Sequence, residues 1–282
     1  MRITEEQRAL LSKLKCERLS SDENNLRLVS SFSNPKNDSL AEKLQGEAYE
    51  EDENGEVAYY LIKDRSDRIL FYFSLKCGQM FDRLKLFEED KYTKFIILIL
   101  DKIIHDTKLP EDNRMYFVNE LNNLANRKGI SKRELDDIIR NGKQNINLNN
   151  GCQTAEGMKK VGDTFSSVEI VHFCKNANQS PPWTREQIPH KLGVVVFWHF
   201  IVPIIQKIKR FVGCQYLYLF AADLDPDESL VNYYTHSLDF NNSEDYKTAI
   251  PDYDLGCRLL WQDTKNLKER CDYFFDNFNL EK

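Results

Sequence analysis

The sequence predicts a mixed α/β or α+β fold with at least one strand–helix–strand crossover, and three observations carry that prediction. Its 282 residues are 41 % hydrophobic and 30 % charged with little glycine and proline, the make-up of a packed globular chain rather than a disordered or fibrous one. Residues 57–77 read as two strands joined by a polar turn. From residue 166 onward strand-like and helix-like stretches alternate, as crossover connections require.

The elements follow in order. "TEEQRALLSKL" is an amphipathic helix, "KCERLS" a strand, "SDENNLRLVSSFS" a helix with a cap signal at Ser21-Asp22, and "NDSLAEKLQGEAYEED" the next helix, closed by a "DENG" turn. The hairpin "VAYYLIKDRSDRILFYFSLKC" turns at "KDRSD". Between residues 83 and 163 three stretches are helical by spacing, and an Asn- and Gly-rich loop ends them. "SSVEIVHFCKN" returns to strand composition, and a Pro-Pro-Trp loop leads to the apolar helix at Leu192. "GCQYLYLFAAD", "DPDESLVNYYTHSL", "DYDLGCRLLWQD" and "TKNLKERCDYFFDNF" then read as strand, helix, strand, helix.

Composition narrows the setting. Seven cysteines form no CxxC pair, and the N-terminal stretch is charged and amphipathic rather than a secretory leader, so reduced thiols in a cytoplasmic protein are expected. A net charge of −6 gives no general attraction to phosphates, which speaks against nucleic acid as a partner. The longest apolar run, Leu192–Ile205, is shorter than the ~20 residues of a spanning helix and holds His199 and Pro203. Lys191 precedes it and Lys207, Lys209 and Arg210 follow, so it reads as a core helix, amphipathic toward its end, with no membrane partner. His199 reads as a satisfied core or groove residue.

The acidic "DLDPDE" places Asp223, Asp225 and Asp227 in an alternation like that of a calcium loop. Glu228 stands where that loop needs glycine and Pro226 intrudes. Helix capping fits better, with Asp225 as cap, Pro226 at the first helical position and Glu228 completing a capping box. His172 and Cys174 are two potential ligands, too few for zinc, and no metal is expected. The local signatures of serine hydrolases, P-loop NTPases and dinucleotide-binding proteins are absent from the sequence.

From Gly213 to Phe240 a strand ends in small residues, and a capped helix follows that carries a tyrosine a few residues before Leu238-Asp239-Phe240. This is similar to the C-terminal half of GCN5-related N-acetyltransferases. With "VEIVHF" and "HKLGVV" the resemblance covers residues 166–262, and the hairpin at 57–77 fits the family's second and third strands. The 83–163 insertion lies outside the common pattern. The resemblance implies a single domain over 1–282, built on a mixed, mostly antiparallel twisted sheet flanked by helices, with the helical insertion inside it. It further implies that the fourth strand splays from the fifth and that the pantetheine of an acyl-CoA pairs with the exposed strand backbone. The pyrophosphate would rest on amides at the next helix start.

Free N–H groups and the dipole at a helix start favour bound phosphate without a specific side chain. Where the family has Gln or Arg, two residues, Gly, one residue, then Gly or Ala, this chain has His190, Lys191, Leu192, Gly193, Val194 and Val195. Gly193 matches, His190 can still hydrogen-bond, and Lys191 adds a cation. Val195 adds bulk where close backbone approach wants Gly or Ala. The bland alternative is that Gly193 only breaks a loop before a core helix. Val171, Phe173 and Cys174 complete the expected cofactor strand.

Amine acylation wants a base for the amine and an acid for the departing thiolate. The resemblance makes Tyr234 the acid, with Tyr233 its neighbour, and either residue can instead be core packing. Strand alternation puts Glu169, Val171 and Phe173 on one face and Ile170, His172 and Cys174 on the other, so Glu169 and His172 compete as base from opposite faces. Glu169 follows the family, whereas His172 has the more suitable unperturbed pKa. The expected function is thus an acyl-CoA-dependent N-acyltransferase using acetyl-CoA or another acyl-CoA and an amine on a small molecule or protein. The alternative is a non-catalytic module of the same fold with a degenerate CoA site, whose insertion binds a protein partner.

Overall fold

A computed structural model describes residues 1–82, 115–116, 118–119, 121–123, 164–222, 227–243, 245–248 and 257–280. The chain divides into two compact units, Met1–Met80 with Phe165–Lys282, and Phe81–Thr164. Of the helices expected between 83 and 163, the described residues of 115–123 are helical, and the rest lie outside the described residues.

Helix α1 (Glu5–Leu11) starts at a reciprocal capping box between Thr4 and Gln7. Strand β1 (Lys15–Arg18) follows. Helix α2 (Asn25–Val29) begins later than its cap signal predicts: Ser21 donates to Arg18 O, and Asp22 accepts from the Asn24 N–H, so both residues shape the turn ahead of the helix. The single helix expected over 37–52 is two, α3 (Asp38–Gln45) and α4 (Ala48–Glu53), because Gly46 caps the first at φ −98° and ψ −89°, outside helical geometry.

Strands β2 (Ala58–Lys63) and β3 (Ile69–Asp82) form the predicted hairpin. Asp64 closes its turn, accepting from the Ser66 and Arg68 N–H groups and from Arg68 Nε. Then come β4 (Thr164–Lys175), α5 (Leu192–Phe211), β5 (Tyr216–Ala221), α6 (Ser229–Leu238), β6 (Tyr246–Lys247), β7 (Arg258–Asp263) and α7 (Leu267–Asp276). The start of α6 corrects the sequence reading: Glu228 is itself the cap residue, left-handed at φ 51°, and its carboxylate pairs with Arg258 instead of closing a capping box. Asp225 and Pro226 lie outside the described residues.

The sheet runs β1-β2-β3-β4-β5-β7, with β6 on β3. The β1/β2, β2/β3 and β5/β7 pairs are antiparallel and the β4/β5 pair is parallel. Helices α5, α6 and α7 cover one face. Helices α2, α3 and α4 cover the other, where the buried Asp52 carboxylate gathers the Arg18 guanidinium and the Ser20 and Tyr59 N–H groups.

Helix α5 explains its own composition. One side packs on the sheet, and on the other Val195 packs with Ile3, Leu11, Ile188 and Phe278 in a separate cluster. The helix is 20 residues long with mean hydropathy 1.5, so length alone does not exclude a membrane span. Its apolar character is accounted for by burial between two layers, which leaves Leu192 through Trp198 in the core. Its middle, Phe197–Ile201, widens to a π-helical turn just before Pro203, whose missing N–H leaves the His199 carbonyl without its usual partner.

Candidate functional site

Strands β4 and β5 pair only from Ser167↔Tyr216 to Ile170↔Leu219. Beyond that register β4 runs on to Lys175 and β5 to Ala221 without a common ladder, so the two strands part. On the β3 side, the His172 N–H bonds Ser74 Oγ and the Asn176 N–H bonds Leu70 O. Alternation therefore aims the Phe173 and Lys175 backbone at the gap.

A cavity of about 530 Å³ opens beside this gap, at the start of α5. Phe173, Leu192, Gly193, Tyr233 and Tyr234 form its inner wall. Lys36, Lys175, Arg185 and Lys191 also line it, and among the described residues no carboxylate does. None of these four cations forms an ion pair among the described residues. Lys191 caps α5 with an extended backbone and no side-chain cap, and its Nζ lies 5.3 Å from the Tyr233 ring centroid. The first helical amides are thus left to an anion.

Each expected residue has a definite place. Phe173, His190, Lys191, Leu192 and Gly193 line the cavity. The His190 ring is committed elsewhere in part, with Nε2 at 2.6 Å from Phe278 O and the ring against Phe274 and Phe278. Gly193 is required by its neighbours: a Cβ there would stand 2.5 Å from the Tyr233 hydroxyl. Val194 lines a second cavity. The expectation that Val195 crowds the phosphate is corrected. Its side chain points away into the cluster with Ile3 and Phe278, and its N–H bonds Lys191 O, so its bulk has no bearing on the cavity.

The strand faces also need correcting. Val168, Ile170 and Phe173 pack toward α5, whereas Val171 and Cys174 pack against the opposite cluster. The alternation slips between Ile170 and Phe173, which puts His172 on the Val171 side, stacked on Tyr59 at 5.5 Å. Glu169 shares that side, because its register partner Tyr218 lies opposite Leu217 and Leu219, and Tyr218 donates to it at 3.2 Å. Glu169 and His172 therefore share a face, contrary to strict alternation, and Val171 and Cys174 can serve the gap only through backbone.

Burial raises the Glu169 pKa, against the Tyr218 hydrogen bond and the Lys76 charge. Burial first, then the Lys43 charge, lowers the His172 pKa to about 4, and Ser74 Oγ holds its Nδ1 at 2.7 Å. Tyr234 is 7 % exposed, rests 6.1 Å from the Phe173 ring, and burial pushes its pKa up, so it keeps its proton. His199 packs on Phe200 and is lowered by burial. Among the described residues no three His, Cys, Asp or Glu side chains gather as a metal site. Lys36, Lys175, Trp183 and Arg185 escaped the sequence reading. Lys175 ends the cofactor strand and could have been found there, whereas Lys36 lies too far upstream for any local signal.

No family model and no curated protein matches this chain. Solved structures similar to it include a point mutant of the AtaT toxin, at 13 % identity over 92 % of this chain and 93 % of that one with TM-score 0.48. AtaTR bound with acetyl-CoA aligns at 14 % identity over 92 % and 98 %, with TM-score 0.45. A KacTA–DNA complex aligns at 12 % identity over 92 % and 99 %, with TM-score 0.46. Among the described residues, a mixed, mostly antiparallel sheet with a parallel β4/β5 pair that parts beside a helix start is the architecture that the sequence resemblance implies.

Proposed function

We propose that the protein is an acyl-CoA-dependent N-acyltransferase that holds its donor in the cavity at the start of α5 and transfers the acyl group, acetyl in the simplest case, by direct attack of an amine. The observation that carries this reading is the coincidence of a strand gap, an uncapped helix start and a cavity with four cations and, among the described residues, no carboxylate. In the reading, the pyrophosphate sits against the first amides of α5 and Lys191, and the pantetheine runs along the β4 edge at Phe173 and Lys175.

The acid and base then divide by environment. Tyr234, on the cavity side and kept protonated by burial, gives its proton to the departing thiolate. Glu169, just before the strands part and with a raised pKa, takes the proton of the amine. His172 is the weaker base, since its lowered pKa and its Ser74 bond commit it to the neutral state. The bulk of Val195, which by residue type favours the non-catalytic alternative, packs away from the cavity and lends that alternative no support.

Native mass spectrometry and thermal shift with acetyl-CoA test the donor, and thiol release tests turnover with amines presented on a small molecule, a peptide and a nucleic acid. Binding lost in Gly193→Trp and thiol release dependent on Tyr234 support the reading. Absence of a shift with acetyl-CoA overturns it, and binding without thiol release favours the non-catalytic module.

A further inference from the structure

On the sheet face that carries Glu169, the chain leaving α6 returns across the strands. Asn241 pairs with Trp261 on β7, and the Tyr246 hydroxyl meets that of Tyr216 on β5 at 2.6 Å. Strand β6 pairs with β3, where Thr248 Oγ1 donates to Gln79 O at 2.8 Å. This strap ends beside Tyr218, whose hydroxyl shares a side-chain hydrogen bond with Thr248 and donates to Glu169 Oε2 at 3.2 Å.

Tyr218 is 3 % exposed and starts on β5 opposite Glu169, yet its ring reaches over β4 as far as β3. Only glycine leaves it room there: a Cβ on Gly78 would stand 2.6 Å from Tyr218 Cε1 and 2.8 Å from Cζ, and nearer still to the hydroxyl. Burial pushes the Tyr218 pKa up to about 12, so the hydroxyl carries its proton at any ordinary pH. That one proton has two acceptors in reach, Glu169 Oε2 and Thr248 Oγ1, and a charged carboxylate is the stronger. It faces Glu169 while Glu169 is ionised and can turn to Thr248 once Glu169 has taken a proton.

We propose that Tyr218 is a positioning residue for the transfer: it fixes Oε2 of Glu169 so that the other carboxylate oxygen meets the attacking amine, and Gly78 and Thr248 hold Tyr218 in place. This deepens the acyltransferase reading and rests on it. The other charged or titratable groups toward Glu169 are Lys76 on β3, whose charge favours the carboxylate, and His172 further along β4, bonded to Ser74.

Two readouts separate positioning from packing. One is the carboxyl titration of Glu169, followed by NMR in labelled full-length protein and assigned with Glu169→Gln. The other is the pH dependence of thiol release from acetyl-CoA, with whichever of the amines named above the wild type uses. Loss of a donor to the charged form raises a carboxyl pKa, so in Tyr218→Phe the Glu169 midpoint and the acid limb of kcat should both move to higher pH. Turnover on that limb should fall about tenfold, with KM for acetyl-CoA unchanged. Gly78→Ala, which keeps the Tyr218 hydroxyl but displaces it, should reproduce both effects. Where Gly78→Ala fails to fold, Tyr218→Phe, which keeps the ring, decides the question alone. An unmoved Glu169 midpoint in Tyr218→Phe overturns the proposal and leaves the acyltransferase reading standing. A moved midpoint with an unmoved acid limb overturns it as well, since Glu169 is then not the base. A wild type that releases no thiol with any of the amines overturns the acyltransferase reading and this proposal together.

Discussion

Gly193→Ala is the sharpest perturbation because two opposing effects can be weighed from one position. Gly193 is the second residue of α5, and a Cβ there would stand 2.5 Å from the Tyr233 hydroxyl and 3.2 Å from Phe173 Cε1. Ordinary contact begins near 3.4 Å, so the hydroxyl must retreat by about 0.9 Å (3.4 − 2.5). The Tyr233 ring can yield only by disturbing its contacts with Lys191 Nζ at 5.3 Å and with the Tyr234 ring at 5.4 Å. Overpacking of this kind costs ~1–3 kcal/mol, and alanine in place of glycine in a helix returns at most ~1 kcal/mol. The net expectation is a loss of about 1 kcal/mol, read as a lower urea midpoint at unchanged slope.

Tyr233→Phe removes the atom responsible. In that background the remaining close contact is Phe173 Cε1 at 3.2 Å, which need give only about 0.2 Å (3.4 − 3.2), so Gly193→Ala should become near neutral. A double-mutant cycle should therefore report a coupling of about 1–2 kcal/mol. Strict additivity of the two substitutions would falsify the claim that Tyr233 dictates glycine at this position.

The remaining expectations follow from separate parts of the fold. Val195→Ala should cost about 2 kcal/mol of stability through the cluster behind α5 while leaving acetyl-CoA affinity where it was; a parallel loss of affinity would return Val195 to the cavity. Asp52→Asn should lose about 3 kcal/mol in a urea titration, because a fully buried carboxylate bonded to Arg18 Nε at 2.8 Å and the Tyr59 N–H at 2.6 Å is replaced by a neutral amide. His172 gives a pH signature. With a folded pKa of about 4 below the ordinary 6.5, the unfolded chain takes the proton first, so stability present above pH 6.5 falls as pH drops toward 4 and levels off below it. The His172 contribution is of order 3 kcal/mol, opposed by Glu51 and reinforced by Lys43, and His172→Gln should flatten the profile across that window.

Much of the fold is legible because its signals are local. The hairpin at 57–77 shows in two aromatic and β-branched runs around a polar turn, and the predicted strand at 166–176 falls almost wholly within β4. The Thr4–Gln7 capping box and the apolar face of α1 also lie within one turn of chain. The errors arise where a local rule meets a tertiary partner. Period-2 alternation divides β4 cleanly, yet the strand slips between Ile170 and Phe173, so that His172 meets Ser74 and the Tyr59 ring while Phe173 turns to Tyr234. The family pattern read at Val195 compares residue types, and only the packing of α1 and the C-terminal tail against α5 decides which way that valine points.

By itself the sequence determined the hairpin at 57–77, the strand at 166–176, the apolar helix at Leu192 with its leading Lys191, and the tyrosines of α6, because each depends on residues within a few positions of one another. The tertiary structure decided where the strands part, which side of β4 each residue serves, and which cations share the cavity. Lys36, Lys175, Arg185 and Lys191 come from a loop before α3, the end of β4, the Pro-Pro-Trp loop and the start of α5. Charges that distant in the chain converge only once the sheet has paired and α5 has closed over it, because burial of both faces of α5 fixes the helix start beside the strand gap.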